Sequence, residues 1–148
     1  MLGAGRGSGS LRCMRQHPPA IAQFLAVGSF AVVGASADRA KYGNKVLRCY
    51  AQHGLPVVGV HPKLTAVEGQ PCHASLAAVP GPPRAVSVVA PPAAAAAIVQ
   101  DAIVAGVRQL WFQPGAEDAA AVAAARAAGL NVIAGGPCVL VALGFHDD

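Results

Sequence analysis

Five short apolar runs alternate with segments of helical period, and this alternation limits the chain more than any other feature. The runs are "FAVVGA" (30–35), "LPVVGVHP" (55–62), "RAVSVVAPP" (84–92), "RQLWFQPG" (108–115) and "LNVIAGGP" (130–137). Each carries apolar residues on both alternating faces, as a strand buried on both sides of a parallel sheet must. "GNKVLRCYAQHG" (43–54) sets Val46, Leu47, Tyr50 and Ala51 on one helical stripe and stops at Gly54. "AAAAAIVQDAIVAG" (93–106) and "AEDAAAVAAARAAG" (116–129) are helices stopped at Gly106 and Gly129, with Ile98, Val99 and Ile103 recurring at helical spacing. "IAQFLAV" (21–27) forms a lead-in helix. "TAVEGQPCHASLAAVP" (65–80) reads as irregular, with a short helix around Leu76, and "CVLVALGFHDD" (138–148) as a loop or short helical turn. Strands feeding helices through right-handed crossovers give an α/β fold. The expectation is a Rossmann-like open parallel sheet of about five strands in the order 3-2-1-4-5, with helices on both faces. Its ligand crevice would lie beyond the carboxyl ends of the strands, beside strand one.

Composition narrows the class of partner. At 54% hydrophobic but 5% aromatic, the chain must pack largely with alanine and valine. No apolar run reaches the ~20 residues of a spanning helix, which argues against a membrane protein. The eleven Lys and Arg residues give a net charge of +4 but are scattered from Arg6 to Arg126. A nucleic-acid binder gathers them into a patch, so the excess fits a small polyanion instead. Four cysteines, Cys13, Cys49, Cys72 and Cys138, show neither CxxC nor zinc spacing and read as free thiols. A reducing compartment suits them, and the cytoplasm is the expected location. The first residues, "MLGAGRGSGSLRCMRQHPP", contain arginines and no acid, since the first acidic residue is Asp38. We read 1–20 as a flexible extension and 21–148 as the folded domain, with a mitochondrial transit peptide as the alternative for the former.

The strand ends carry the chemistry. "GASADRAKYGN" follows strand one and leads into a helix N-terminus, where free N–H groups and the dipole favour an anion. Gly34 and Ala35 make the turn, Ser36 adds a hydroxyl, Lys41 adds charge and Gly43 permits close backbone approach. The alternative is an ordinary strand-to-helix turn with Ser36 as its cap. The dinucleotide fingerprint GxGxxG is absent. An NAD site also requires an acidic residue at the end of strand two, where this chain has His61 and Lys63. Lys63 would favour a phosphate on the ribose, or is a solvated surface lysine. Pro91 and Pro92 end strand three and shape a rigid wall. Gln113 stands at the tip of strand four, and Cys138 follows strand five at the same edge. Trp111 reads as core. No GxSxG, HExxH or paired loop carboxylates are present, and the five histidines show no catalytic spacing.

Taken together, "VVGAS" (32–36), "GLPVVGVHPK" (54–63), "GQPCHASLAAVP" (69–80), "LWFQPGAED" (110–118) and "AAGLNVIAGGPC" (127–138) resemble the CoA-binding domain family. These are stand-alone relatives of the N-terminal domain of the succinyl-CoA synthetase α subunit. The resemblance runs from about Phe30 to Cys138. It implies coenzyme A, or an acyl-CoA, in the crevice. Ser36, Ala37, Asp38 and Arg39 would hold its phosphates or ribose, Lys63 would neutralise a phosphate, and Pro91 and Pro92 would line the adenine or pantetheine side. The synthetase's phosphorylated histidine belongs to a further domain, so ligase activity is not implied. The reading is a non-catalytic CoA-binding module. The alternatives are an NADP-binding oxidoreductase-like protein and a subunit that binds a protein partner or a second copy of itself beside a vestigial pocket.

Overall fold

The computed structural model describes residues 17–147. Among them, seven strands form one sheet in the order β3-β4-β2-β1-β5-β6-β7. They are β1 (Phe30–Val33), β2 (Val57–Val60), β3 (Ala66–Val67), β4 (Gln70–His73), β5 (Ala85–Val88), β6 (Gln109–Phe112) and β7 (Asn131–Ile133). All pairings are parallel except the short β3–β4 hairpin at one edge. The helices are α1 (Pro19–Ala26), α2 (Tyr42–Gln52), α3 (Ala95–Val104), α4 (Ala119–Ala127) and α5 (Val139–Leu143). Single 3₁₀ turns occupy Leu76–Ala78 and Pro92–Ala94. No helix among the described residues is long and apolar enough to cross a membrane.

The five apolar runs are strands and the helical segments are helices, but the expected order 3-2-1-4-5 requires correction. The "RAVSVVAPP" run is β5 and pairs with β1 on the side away from β2. The place beyond β2 belongs to β4, in the stretch read as irregular. Counting β4 as the third strand restores the dinucleotide-fold order, with the topological switch between β1 and β5. The sheet thus has two more strands than expected, both in the 66–73 hairpin. At the other end, α1 begins at Pro19, and the Ala20 carbonyl accepts a hydrogen bond of 2.9 Å from Asn131 Nδ2. The folded unit therefore takes in residues that the sequence reading gave to the extension. Cys13 and the rest of 1–16 lie outside the described residues.

Strand alternation divides the interior in two. Ala31, Val86, Val88, Leu110 and Phe112 face α3 and α4, whose alanine-rich surfaces allow close packing. Phe30, Val32, Trp111 and Ile133 face α1, α2 and α5. This second layer holds most of the aromatic residues. The Phe30 ring stacks on Tyr50 with centroids 4.5 Å apart, and Phe24 meets Trp111 edge-on at 5.3 Å. Such pairs add about 0.5–1.5 kcal/mol each beyond the area they bury. The polar tips are answered: the Tyr50 hydroxyl bonds Ser87 Oγ at 2.6 Å, and Trp111 Nε1 donates to the Pro137 carbonyl at 3.0 Å. Trp111 is therefore core, as its sequence context implies.

Candidate functional site

The switch between β1 and β5 opens at the carboxyl edge of the sheet, and two hollows meet there. The first, of about 420 Å³, lies between the β1–α2 turn and the loops after β5 and β6. The second, of about 330 Å³, lies on the α3 side between the ends of β2 and β5. Both touch Gly34 and Ala90, so they lie on either side of the β1–β5 seam and share these two wall residues.

Two glycines permit this geometry. Gly34 has a φ of +96°, and a Cβ there would lie 1.7 Å from the Val89 carbonyl oxygen. A Cβ on Gly43 would lie 1.9 Å from the Gly34 carbonyl oxygen. The first turn of α2 is thereby seated directly on the ends of β1 and β5. Lys41, the residue preceding α2, provides no side-chain cap, so the leading N–H groups of the helix have no side-chain acceptor. With the helix dipole, they give the groove a partial positive charge at this terminus.

The turn itself is internally braced. Ser36 Oγ accepts from the Asp38 N–H at 3.1 Å, and Asp38 Oδ1 accepts from the Ala40 N–H at 2.9 Å. The Ser36 hydroxyl proton has no acceptor among the described residues. Behind the turn lies a buried polar network. Asn44, fully buried, donates through Nδ2 to the Ser36 carbonyl (2.9 Å) and to Glu68 Oε2 (3.1 Å). Arg48, also buried, donates to Asn44 Oδ1 at 2.6 Å, to the Arg39 carbonyl at 3.0 Å and to Asp147 Oδ1 at 3.0 Å. Its guanidinium lies 5.1 Å from the Phe145 ring centroid. The Arg39 guanidinium pairs with Glu68 at 2.9 Å.

The opposite wall comes from β6, β7 and α5. Gln113 is fully buried at the tip of β6 and lines the first hollow. Its Oε1 accepts from the Val139 N–H at 2.9 Å and from the Tyr42 hydroxyl at 3.3 Å. Tyr42 Oη also bonds Cys138 Sγ. A tyrosine has one proton to give, and Gln113 Oε1 can only accept, so the Cys138 thiol is the donor to Tyr42. Burial, then the Cys138 contact, raises the Tyr42 pKa well above the usual phenolic value. Burial likewise pushes the neighbouring Cys49 thiol up to about 12. Glu117 staples the two loops of this wall, accepting from the Gly115 N–H at 2.8 Å and the Gly135 N–H at 3.0 Å. Hydrogen bonds from its own and these two backbone amides lower its pKa.

Of the residues singled out in the sequence, Gly34, Ser36, Lys41, Gly43, Pro91 and Gln113 converge on the first hollow. Ala37 and Asp38 are exposed on the turn, while Ala35 points into the core. Arg39 is engaged with Glu68. His61 lines the second hollow, and its Nδ1 accepts from the N–H groups of Lys63 (3.0 Å) and Leu64 (3.2 Å), which holds the turn after β2. Lys63 is exposed beside it. Pro92 opens the 3₁₀ turn ahead of α3, outside the lining of either hollow. Cys138 precedes α5 behind Tyr42. The sequence reading did not single out Tyr42, Asn44, Arg48, Glu68 or Glu117. Each has at least one partner 18 to 99 residues away, which no local pattern marks.

Comparison with known proteins agrees with this fold. A conserved hypothetical protein from Pyrococcus furiosus is 34% identical and superposes with a TM-score of 0.72, over 76% of this chain and 97% of that one. A hypothetical protein from Pyrococcus horikoshii OT3 is 27% identical with a TM-score of 0.75, over 85% and 93%. The dinucleotide-forming acetyl-coenzyme A synthetase 1 of Ca. Korarchaeum cryptofilum, solved with phosphate and ADP, is 25% identical with a TM-score of 0.65. The match covers 72% of this chain and 25% of that larger protein. The sequence pattern that defines the CoA binding domain matches residues 28–144, from the residues just before β1 to the end of α5. The chain therefore belongs to the CoA binding domain family.

Proposed function

We propose that the protein binds coenzyme A or an acyl-CoA in the groove at the carboxyl edge of the sheet, as a carrier or sensing module without chemistry of its own. The observation that carries this reading is the uncapped start of α2 opening onto the first hollow, with the second hollow adjoining it across the β1–β5 seam at Gly34 and Ala90. An elongated ligand with a diphosphate near its middle fits such a site. The diphosphate would rest on the α2 terminus, with Ser36 and Lys41 donating. The nucleotide end would lie in the second hollow near His61 and Lys63, and the pantetheine arm in the first, past Pro91 and Gln113. The cationic end of β2 favours a ribose phosphate over a bare ribose diol. The ionisable groups of the inner wall, Tyr42 and Cys138, are held in positioning hydrogen bonds, which suits binding rather than proton transfer.

Thermal unfolding with CoA, acetyl-CoA, NAD and NADP tests the proposal. A ligand at ~100 times its Kd stabilises by about 2.7 kcal/mol. CoA and acetyl-CoA should raise Tm, and NAD should not. A rise with NADP alone would instead favour the oxidoreductase-like reading, which shares the fold and Lys63.

A further inference from the structure

Gln113 has a feature that the fold does not explain. Its side chain is fully buried, yet Nε2 has no hydrogen-bond partner among the described residues. The orientation of the amide is fixed independently. The Val139 backbone N–H can only donate, so the atom 2.9 Å from it must be the oxygen. The Tyr42 hydroxyl, itself held by Cys138, secures the same oxygen. The amide cannot flip to relieve its nitrogen without opposing two donors. Gln113 lines the first hollow, so its unanswered nitrogen is a buried donor in the wall of that hollow. Buried donors without acceptors are rare, and water or a ligand normally answers them.

Spacing indicates which acceptor. Gln113 follows β6, two strands from β1 in the sheet. At 4.7–4.9 Å per strand, it lies roughly 10 Å from the β1–α2 turn along the groove. An extended chain advances ~1.2 Å per bond, so a group nine bonds from a phosphorus on that turn lies about 11 Å away. In the arm of CoA, nine bonds separate the proximal phosphorus from the carbonyl carbon of the second amide. The first amide carbonyl falls short of Gln113, and the sulfur lies beyond it. Resting on the CoA reading above, we propose that Gln113 is the specificity-determining residue for the pantetheine arm, donating from Nε2 to its second amide carbonyl. Val139, Tyr42 and Cys138 are positioning residues that hold the donor.

Calorimetry of the full chain tests this with two probes: CoA, and 3′-phospho-ADP, which keeps the phosphates but lacks the arm. Gln113→Met retains the bulk and removes the donor. It should weaken CoA by about five- to tenfold, the worth of one hydrogen bond, and 3′-phospho-ADP by less than about twofold. Equal losses for the two ligands, or no loss for CoA, would overturn the assignment. A measurement on the unaltered protein guards against a variant that misfolds. The Gln113 side-chain NH₂ resonances should shift with CoA and stay in place with 3′-phospho-ADP; the reverse, or identical shifts, rejects the proposal. If the unaltered protein binds 3′-phospho-ADP as tightly as CoA, only the role of Gln113 falls. If it binds neither, the CoA reading falls as well.

Discussion

The β1–α2 wall of the groove offers backbone N–H groups at its surface, with Ser36 and Lys41 beside them and a buried polar network behind. The β6–β7 wall does the reverse. There a single buried side-chain amide lines the groove, and backbone and side-chain donors hold its oxygen. The first wall is built on glycine contacts that leave no room for a Cβ and on the buried Asn44–Arg48–Glu68 network. The second is built on the Cys138–Tyr42–Gln113–Val139 chain and the Glu117 staple. A helix terminus binds anions with little regard to what they are attached to, whereas one fixed donor in a desolvated wall selects for an acceptor at one place. On the CoA reading proposed above, affinity for phosphate and selectivity for the rest of the ligand would fall to different parts of the fold.

The largest effect should come from breaking the first wall at its base. Gly43→Ala places a Cβ 1.9 Å from the Gly34 carbonyl oxygen, and both neighbours are backbone. The loss should be about 3 kcal/mol or more, read as a lower urea midpoint, because α2 must lift off the sheet. A midpoint unchanged from the parent would show that the wall yields where the geometry says it cannot. Next in size is Asn44→Ala, which leaves the Ser36 carbonyl and Arg48 Nε without their partner. A cost of about 2 kcal/mol in urea unfolding is expected, with weaker CoA binding as the turn loosens. Stability lost with CoA affinity unchanged would separate the network from the site.

The pattern of success and failure in reading the sequence follows the same division between local and distant information. Period and glycine stops revealed β1, β2, β5, β6 and β7 with their helices, because each is a local apolar run. The run "QPCH" conceals β4: it is short, contains Pro71 and has no β-branched residue, and it is a strand only because β2 lies beside it. Missing it shifted the strand numbering and hence the order. At the site, the turn, Lys41 and Gln113 were visible because they follow strand ends. The pairing of Arg39 with Glu68 at 2.9 Å joins residues 29 positions apart, and no local pattern announces it. The orphaned Gln113 nitrogen depends on Val139 and Tyr42, 26 and 71 residues away, and no local pattern encodes it.

Smaller effects sharpen the comparison. Lys63→Ala should weaken CoA by roughly fivefold, the scale of an exposed charge contact, and leave dephospho-CoA unchanged, since only CoA carries the ribose 3′-phosphate. Equal losses in calorimetry would move Lys63 to the diphosphate. The smallest change should be at Glu117, whose folded-state pKa is lowered by backbone N–H groups. A depressed carboxylate contributes stability above its unfolded pKa, and that contribution is lost as pH falls through the folded value. Glu117→Gln should therefore cost less than about 1 kcal/mol at pH 7, and the gap in Tm from the parent should close on acidification toward pH 3. A gap that widened with acid would contradict the staple.

The central claim is that both walls close on one ligand at the carboxyl edge of the sheet, and hydrogen–deuterium exchange with and without CoA tests it most directly. CoA should slow exchange in 34–44 and in 113–117 together, with the 135–139 loop following through Gln113 and Glu117. A second cavity at the opposite edge of the sheet, beside Arg84 and Val107, serves as an internal control and should exchange unchanged. Protection confined to that opposite edge, or to the β1–α2 turn alone, would contradict the two-walled site.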